Sequence, residues 1–261
     1  MLKMQDVTVR YDDKTVLEHF CFSIKQGEIV SLVGESGSGK TTVIRAILGL
    51  LSGNGKITEG DILLEENSLL KMTEKEMQKF RGKRIAMIFQ DSSAVLNPIR
   101  TIGSQFVEYL TYHEKIGKKE AWKRSIEMLE MMHLADAENI MKSYPFQLSG
   151  GMCQRVGIAM AMSLRPMLLL ADEPTSALDV TTQSQIVKQM MEINRKYQTG
   201  IVMVTHNLGV AAYMSDKIIV MRDGKIIEEG NREQILHHSV NEYTRSLLGA
   251  IPTMDGERYV G

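Results

Sequence analysis

Gly34-Glu35-Ser36-Gly37-Ser38-Gly39-Lys40-Thr41 has the spacing G-x-x-x-x-G-K-[ST], with Thr42 directly after it. Glycines at 34, 37 and 39 free the backbone to turn its N–H groups inward around an anion, and a helix opening at Lys40 adds the positive end of its dipole. Lys40 would reach the β- and γ-phosphates of a nucleotide, and the Thr41 hydroxyl would ligate Mg2+. An incidental Gly/Ser turn needs neither an apolar strand before it nor an apolar-faced helix after it. This loop has both flanks in its sequence.

Two other segments carry chemistry only in company with that loop. Leu168-Leu169-Leu170-Ala171-Asp172-Glu173 places two acids where an apolar strand ends, which is where ligands gather in open α/β sheets. Asp172 suits a Mg2+ shell because a hard cation prefers oxygen ligands. Glu173 can accept a proton from an attacking water once the phosphates are organised. Alone, the pair would read as an exposed strand end. Leu148-Ser149-Gly150-Gly151-Met152 precedes a helical pattern opening near Gly151, so Ser149, Gly150 and Gly151 offer N–H groups at a helix start. A serine helix cap is the plain explanation of that segment by itself. One nucleotide needs one cradle, however, and two in one chain suggest a cassette that shares its nucleotide with another copy.

The elements that must position these residues are legible as alternating strands and helices. Met4 to Tyr11 and Glu28 to Val33 read as strands, the second feeding the glycine loop. Helix follows from about Lys40 to Leu51, with Ser52-Gly53-Asn54-Gly55 as its stop. Thr73 to Glu76 fits a capping box for a helix near Glu74 to Phe80, and Ile85 to Phe89 reads as a buried strand. From about Ser92 to Arg165 the pattern is mainly helical, with Trp122, Ile126, Leu129 and Met132 on one face. Strand returns at Met167 to Ala171 and Ile201 to Thr205, with an amphipathic helix at Thr181 to Tyr197 between them. Lys217 to Met221 and Lys225 to Glu228 flank Arg222-Asp223-Gly224 as a hairpin. This order predicts a largely parallel sheet covered on both faces, interrupted by an α-helical insertion.

Composition narrows the classes. The chain has 261 residues, 43% of them hydrophobic and 24% charged, which is ordinary for one folded catalytic unit. A net charge of −1 offers the backbone of DNA or RNA no electrostatic partner, so nucleic acid is not expected. The N-terminus lacks the apolar core of a secretory signal, and the thiols Cys21 and Cys153 are expected to be reduced, inside the cell. The longest apolar run, Val156 to Leu164, lies between Arg155 and Arg165 and is far short of the roughly 20 residues of a membrane span. If the protein works at a membrane, other chains must cross it. His237 and His238 are adjacent, so they do not share a helix face and read as solvated rather than as metal ligands. The 19 methionines recur within apolar faces, as core fillers or contacts to a partner helix.

These motifs and their order resemble the nucleotide-binding subunits of ABC transporters over nearly the whole chain. In that likeness Tyr11 is the aromatic that stacks on adenine, 34–42 is Walker A, Gln90 is the Q-loop glutamine and LSGGM is the signature. Residues 168–173 are Walker B, Ser176-Ala177-Leu178-Asp179 is the D-loop and His206 is the switch histidine, a role that overrides the ordinary packed or capping histidine after a strand. The resemblance implies ATP and Mg2+ as cofactors, with Thr41, Gln90 and Asp172 around the metal and Lys40, Glu173 and His206 as catalytic residues. It also implies that Ser149, Gly150 and Gly151 of one subunit meet the ATP held by Walker A of the other. The expected fold is an α/β P-loop NTPase cassette: a RecA-like, mostly parallel core with antiparallel β elements (about 1–91 and 166–235) and an inserted α-helical subdomain (about 92–165). Together these make one nucleotide-binding domain over 1–250, with 236–261 as a C-terminal helix and tail.

Ile88-Phe89-Gln90-Asp91, Leu96-Asn97-Pro98, Tyr144-Pro145-Phe146-Gln147 and Tyr243-Thr244-Arg245 resemble the peptide and nickel importer branch of the family. Phe80 to Met87 is similar to the first of the two unlike ATPases those importers pair. Met152 stands where the signature commonly has Gln, a variation found in this branch. The sequence ends at Gly261 without the cysteine-containing extension of many oligopeptide members, which favours a nickel-type or small-peptide member. The implied partners are two transmembrane permease subunits, a second unlike ATPase in a heterodimer, and indirectly an extracytoplasmic substrate-binding protein. The implied location is peripheral, at the cytoplasmic face of the cell membrane. A DNA-repair ATPase of the same fold would carry a coiled-coil or zinc insertion between Lys40 and Ser149, and a translation factor would carry two cassettes. A mere binding module would need neither Glu173 nor His206, and no acceptor-substrate site suggests a kinase. Nickel, a metal chelate, a dipeptide and an oligopeptide all stay open as cargo.

Overall fold

A computed structural model describes residues 1–176 and 178–249. Ala177 of the expected D-loop, and residues 250–261 of the C-terminal helix and tail expected at 236–261, lie outside the described residues. The chain divides into two units, Met1–Gln78 with Gly200 onward, and Lys79–Thr199. The first opens with β1 (Leu2–Tyr11), β2 (Lys14–Ile24), β3 (Ile29–Val33), α1 (Lys40–Leu48), β4 (Gly55–Leu64) and β5 (Asn67–Ser68), and α2 (Glu74–Phe80) runs across the division. The second holds β6 (Ile85–Ile88), α3 (Ser92–Val95), α4 (Ile102–His113), α5 (Lys118–Met131), α6 (Ala137–Lys142), α7 (Gly150–Met162), β7 (Leu168–Asp172) and α8 (Val180–Tyr197). The chain returns to the first unit with β8 (Gly200–Thr205), α9 (Leu208–Met214), β9 (Lys217–Arg222), β10 (Lys225–Gly230), α10 (Arg232–His237) and α11 (Glu242–Gly249).

In the first unit β3 lies between β8 and β9, parallel to both, with Val33 opposite Thr205 and Val220. All five β3 residues are buried, as a central parallel strand requires, and the run reads as continuously apolar apart from Ser31. Ser31 is accommodated by a hydroxyl pair with Ser215 at 2.5 Å. The β9–β10 hairpin turns with both Asp223 (φ 49) and Gly224 (φ 78) left-handed, the geometry of an Asp-Gly turn between twisted strands. A separate antiparallel sheet runs β2-β1-β4-β5. Sequence reading leaves β2 and β4 without an assignment, for a physical reason. The left-handed His19 (φ 49) in β2 and Gly60 (φ 84) in β4, each at a register shift, break the period-two alternation on which strand recognition depends. Helix α1 also ends three residues before the expected Leu51. Gly49 adopts the left-handed cap (φ 63, ψ 33), and Gly49 and Leu50 donate back to Ala46 and Arg45, so the turn closes before the Ser/Gly stop is reached.

In the second unit β6 and β7 pair in parallel, from Ile85 opposite Leu168 to Ile88 opposite Ala171. The helical stretch from 92 begins as expected. Its face on α5 is centred on Ala121, Ser125, Met128 and Leu129, so Trp122 and Ile126 flank the buried stripe rather than fill it. Trp122 packs over Gly103 of α4, where a Cβ would come within 2.5 Å of the indole. The charged helix α2 has its expected box, with Thr73 donating to Glu76 through both N–H (2.8 Å) and hydroxyl (2.7 Å).

Candidate nucleotide site

The phosphate loop is built where β3 ends. Gly34 passes so close to β9 that a Cβ would stand 2.2 Å from the Met221 carbonyl oxygen, which makes glycine a requirement. Gly39, at φ 98, is the N-cap of α1 and has no side chain with which to cap it. The loop is held from outside by the hairpin, whose Gly224 N–H donates to the Ser38 carbonyl at 3.1 Å. Inside it, Lys40 is 5% exposed. Its ammonium donates to the carbonyls of Gly34 (2.7 Å) and Glu35 (2.6 Å), with the Ser38 hydroxyl at 3.3 Å. A buried cation is tolerable because three oxygens replace its water. Thr41 and Thr42 form the first turn of α1 behind it.

His206 leaves β8 beside the strand that feeds this loop, since Val33 and Thr205 are register partners. Its backbone is fixed from both sides: the Thr205 hydroxyl accepts from Asn207 N–H at 3.0 Å, and Asn207 caps α9 by accepting from Val210 N–H at 3.2 Å. Tyr11 closes β1, opposite Lys14 and Gly55, and its ring lies over Gly55. Among the described residues no hydrogen bond or ring contact joins Tyr11 to the phosphate loop.

The second unit assembles the other group. Gln90 and Asp172 follow or end neighbouring parallel strands, with Ile88 opposite Ala171. Glu173 takes φ 45, a left-handed backbone that a non-glycine residue adopts only when its surroundings enforce it. Its carbonyl receives both the N–H and the hydroxyl of Ser176 at 3.2 Å, which turns the chain toward the D-loop. Asp179 then caps α8, accepting from Thr182 N–H at 3.0 Å, and the Thr182 hydroxyl, with that N–H after it, holds its carboxyl below the usual range. Ser149 caps α7 by accepting from Met152 N–H at 3.3 Å, and Gly151 approaches α8 so closely that a Cβ would meet the Thr182 methyl at 2.8 Å. Ser149, Gly150 and Gly151 are thus placed beside the helix that Asp179 begins.

Sequence reasoning missed Gln154. It is 3% exposed on α7, donates to the Phe89 carbonyl at 3.0 Å and accepts from Ser92 N–H at 3.1 Å, so it ties the signature helix to both flanks of Gln90 and Asp91. The available signal was an amide on the buried side of α7, five residues after Ser149, between Cys153 and Val156. Asp91 is itself held low in pKa, first by the Ser93 hydroxyl, while capping α3. His237 ends α10 and His238 is its C-cap; among the described residues no group of three or more His, Cys, Asp or Glu side chains is placed to hold a metal ion. No helix among them is long and apolar enough to cross a membrane.

A glycine-lined phosphate loop between a buried parallel strand and a helix marks a P-loop nucleotide-hydrolysing fold. The profile of the ABC transporter family matches residues 17–176, more than half of the chain. The chain belongs to the ABC transporter family and is an ATP-binding cassette ATPase. It is 47% identical to the oligopeptide transport ATP-binding protein AppD of Bacillus subtilis, over 90% of this chain and 72% of that one. It is 42% identical to the oligopeptide transport ATP-binding protein OppD of Escherichia coli, over 98% of this chain and 77% of that one. Among solved structures it resembles a dimeric ATP-binding cassette in a post-hydrolysis state bound to ADP and Pi, with a TM-score of 0.79 and 32% identity over 89% of this chain and 99% of that one.

Proposed function

We propose that this chain is an energising ATPase subunit of an importer for peptides, working peripherally at the cytoplasmic face of a membrane with two permease subunits. The observation that carries the reading is the buried Lys40 in its glycine loop, in a chain that aligns over 98% of its length with an oligopeptide transport ATP-binding protein. In this reading the N–H groups of 34–42 and the Lys40 ammonium hold the phosphates of ATP. Thr41, Gln90 and Asp172 are the residues that would hold Mg2+, since each offers the kind of oxygen a hard cation takes. When bound, Mg2+ would supply charge neutralisation at the transferring phosphoryl group. Glu173 accepts the proton of the attacking water, His206 faces the γ-phosphate, and Tyr11 stacks on the base. Ser149, Gly150 and Gly151 serve the nucleotide of a second, unlike cassette, and Asp179 lies at that junction. The cassette extends over 1–250, with a core at about 1–91 and 166–235, the helical subdomain at about 92–165, and a C-terminal helix and tail at 236–261.

The test is ATP hydrolysis in vesicles containing both permeases and both ATPases, supplied with an extracytoplasmic binding protein carrying an oligopeptide, a dipeptide or nickel. Stimulation by peptide-loaded protein is the expected result. Stimulation by nickel alone would overturn the cargo assignment, and a parent-like rate from a Glu173→Gln complex would overturn the catalytic one.

A further inference from the structure

Helix α11 reaches the phosphate loop through the Tyr243 hydroxyl. Tyr243 accepts a hydrogen bond from Glu35 N–H at 3.0 Å. That N–H belongs to the same peptide group as the Gly34 carbonyl, which accepts from the Lys40 ammonium at 2.7 Å. A peptide group is planar, so holding its N–H end sets the direction of its C=O end. The phenol on one side and the ammonium on the other grip one rigid plate.

Tyr243 is itself held in place. Its ring lies under the Arg222 guanidinium at 5.0 Å, and Arg222 opens the turn whose Gly224 N–H holds Ser38. The ring also packs on the cluster that contains Val33, Leu208, Ala211 and Leu248, which joins the strand before the loop to the helix after His206. The start of α11 is pinned to β10, where Glu228 accepts from the Ser239 hydroxyl (2.7 Å) and Val240 N–H (3.0 Å), and Arg245 donates to the Ser239 carbonyl at 3.0 Å. The ring therefore has a packing role that phenylalanine would fill equally well. Only the hydroxyl addresses the loop.

We propose that Tyr243 is a positioning residue for ATP binding: by orienting the Gly34–Glu35 peptide it sets the place of the Lys40 ammonium before nucleotide arrives. This rests on the reading of 34–42 as the phosphate site. It gives the C-terminal segment a direct line to nucleotide affinity that fold assignment alone does not supply.

The test compares the full-length parent with Tyr243→Phe, Tyr243→Ala and Lys40→Ala, using Mg-ATP as the probe. Loss of one neutral hydrogen bond should raise the dissociation constant and KM for ATP in Tyr243→Phe by roughly three- to tenfold. Its kcat at saturating ATP should stay within about twofold, since the interaction serves ground and transition states alike. Its melting temperature should match the parent's, and the Glu35 amide should shift in a 1H–15N spectrum and exchange faster with solvent, without nucleotide present. Tyr243→Ala, which also empties the ring site, should lower the melting temperature as well. If Tyr243→Phe binds ATP like the parent, or leaves the Glu35 amide unmoved, the proposal is wrong. Lys40→Ala separates the two layers: parent-like ATP binding in that variant would refute the phosphate-loop reading itself, whereas its loss beside an unaffected Tyr243→Phe refutes only the role of the tyrosine.

Discussion

Two helix N-termini in this chain follow Ser/Gly loops, yet they are finished differently. At α1 the cap is Gly39, which has no side chain to offer, and a buried lysine is folded into the loop on three oxygens. At α7 the cap is Ser149, whose hydroxyl accepts from its own helix, and no cation from the chain is folded into the turn among the described contacts. The first end brings a helix dipole and a cation together in one piece of backbone, the combination an anion site needs. The second has the dipole without the charge. In the function proposed here, a site so built would add donors to a phosphate held by the lysine of another cassette.

That contrast can be attacked at several places. Glu173→Gln should give the largest effect, a fall in turnover of about 10²- to 10⁴-fold with ATP binding kept, because the amide preserves shape and cannot accept a proton. Single-turnover hydrolysis at the parent rate would remove Glu173 from the chemistry. Lys40→Ala should weaken ATP binding by tens of fold or more through loss of a charge-assisted contact, measured by titration calorimetry. An unchanged affinity would erase the distinction between the two helix ends. Gln154→Leu should lower stability by roughly 1–3 kcal/mol in urea unfolding, since it leaves the buried Ser92 N–H without its partner and frees the part-buried Phe89 carbonyl. Parent-like stability would mean the signature helix is not tied to the Gln90 segment in this way. Thiol labelling gives the smallest signal. Cys21 is exposed, whereas burial, aided by the charge of Asp91, pushes the Cys153 thiol up. At pH 8 the native protein should therefore react quickly at Cys21 and hardly at all at Cys153 until it is unfolded, as read by mass spectrometry.

How much was legible in advance follows the same physics. The loop at 34–42, the acids at 172–173 and the Ser149 helix start are local features, written in consecutive residues, and the structure places each at the element end expected of it. The strands flanking them are buried parallel strands, whose continuous apolar runs are hard to mistake. The antiparallel sheet was less visible because β2 and β4 bury one face only and β2 is bulged at His19. Gln154 and Tyr243 were invisible as site residues because their partners lie 65, 62 and 208 positions away. No local pattern encodes a contact at that range. His237 and His238 illustrate the reverse, a conspicuous pair for which periodicity argued no shared face.

If this chain holds ATP with one helix end and completes a partner's site with the other, ATP should assemble it. Light scattering on the Glu173→Gln chain together with its partner ATPase and permease subunits, with and without Mg-ATP, measures this directly. ATP that binds between two cassettes stabilises the closed pair by mass action, and slow hydrolysis preserves it. The account predicts ATP-dependent association of the cassettes, lost on adding Ser149→Arg while ATP binding at the chain's own loop persists. Association of the Ser149→Arg chain equal to its parent's would contradict the account and leave the Leu148–Met152 segment as a helix cap only.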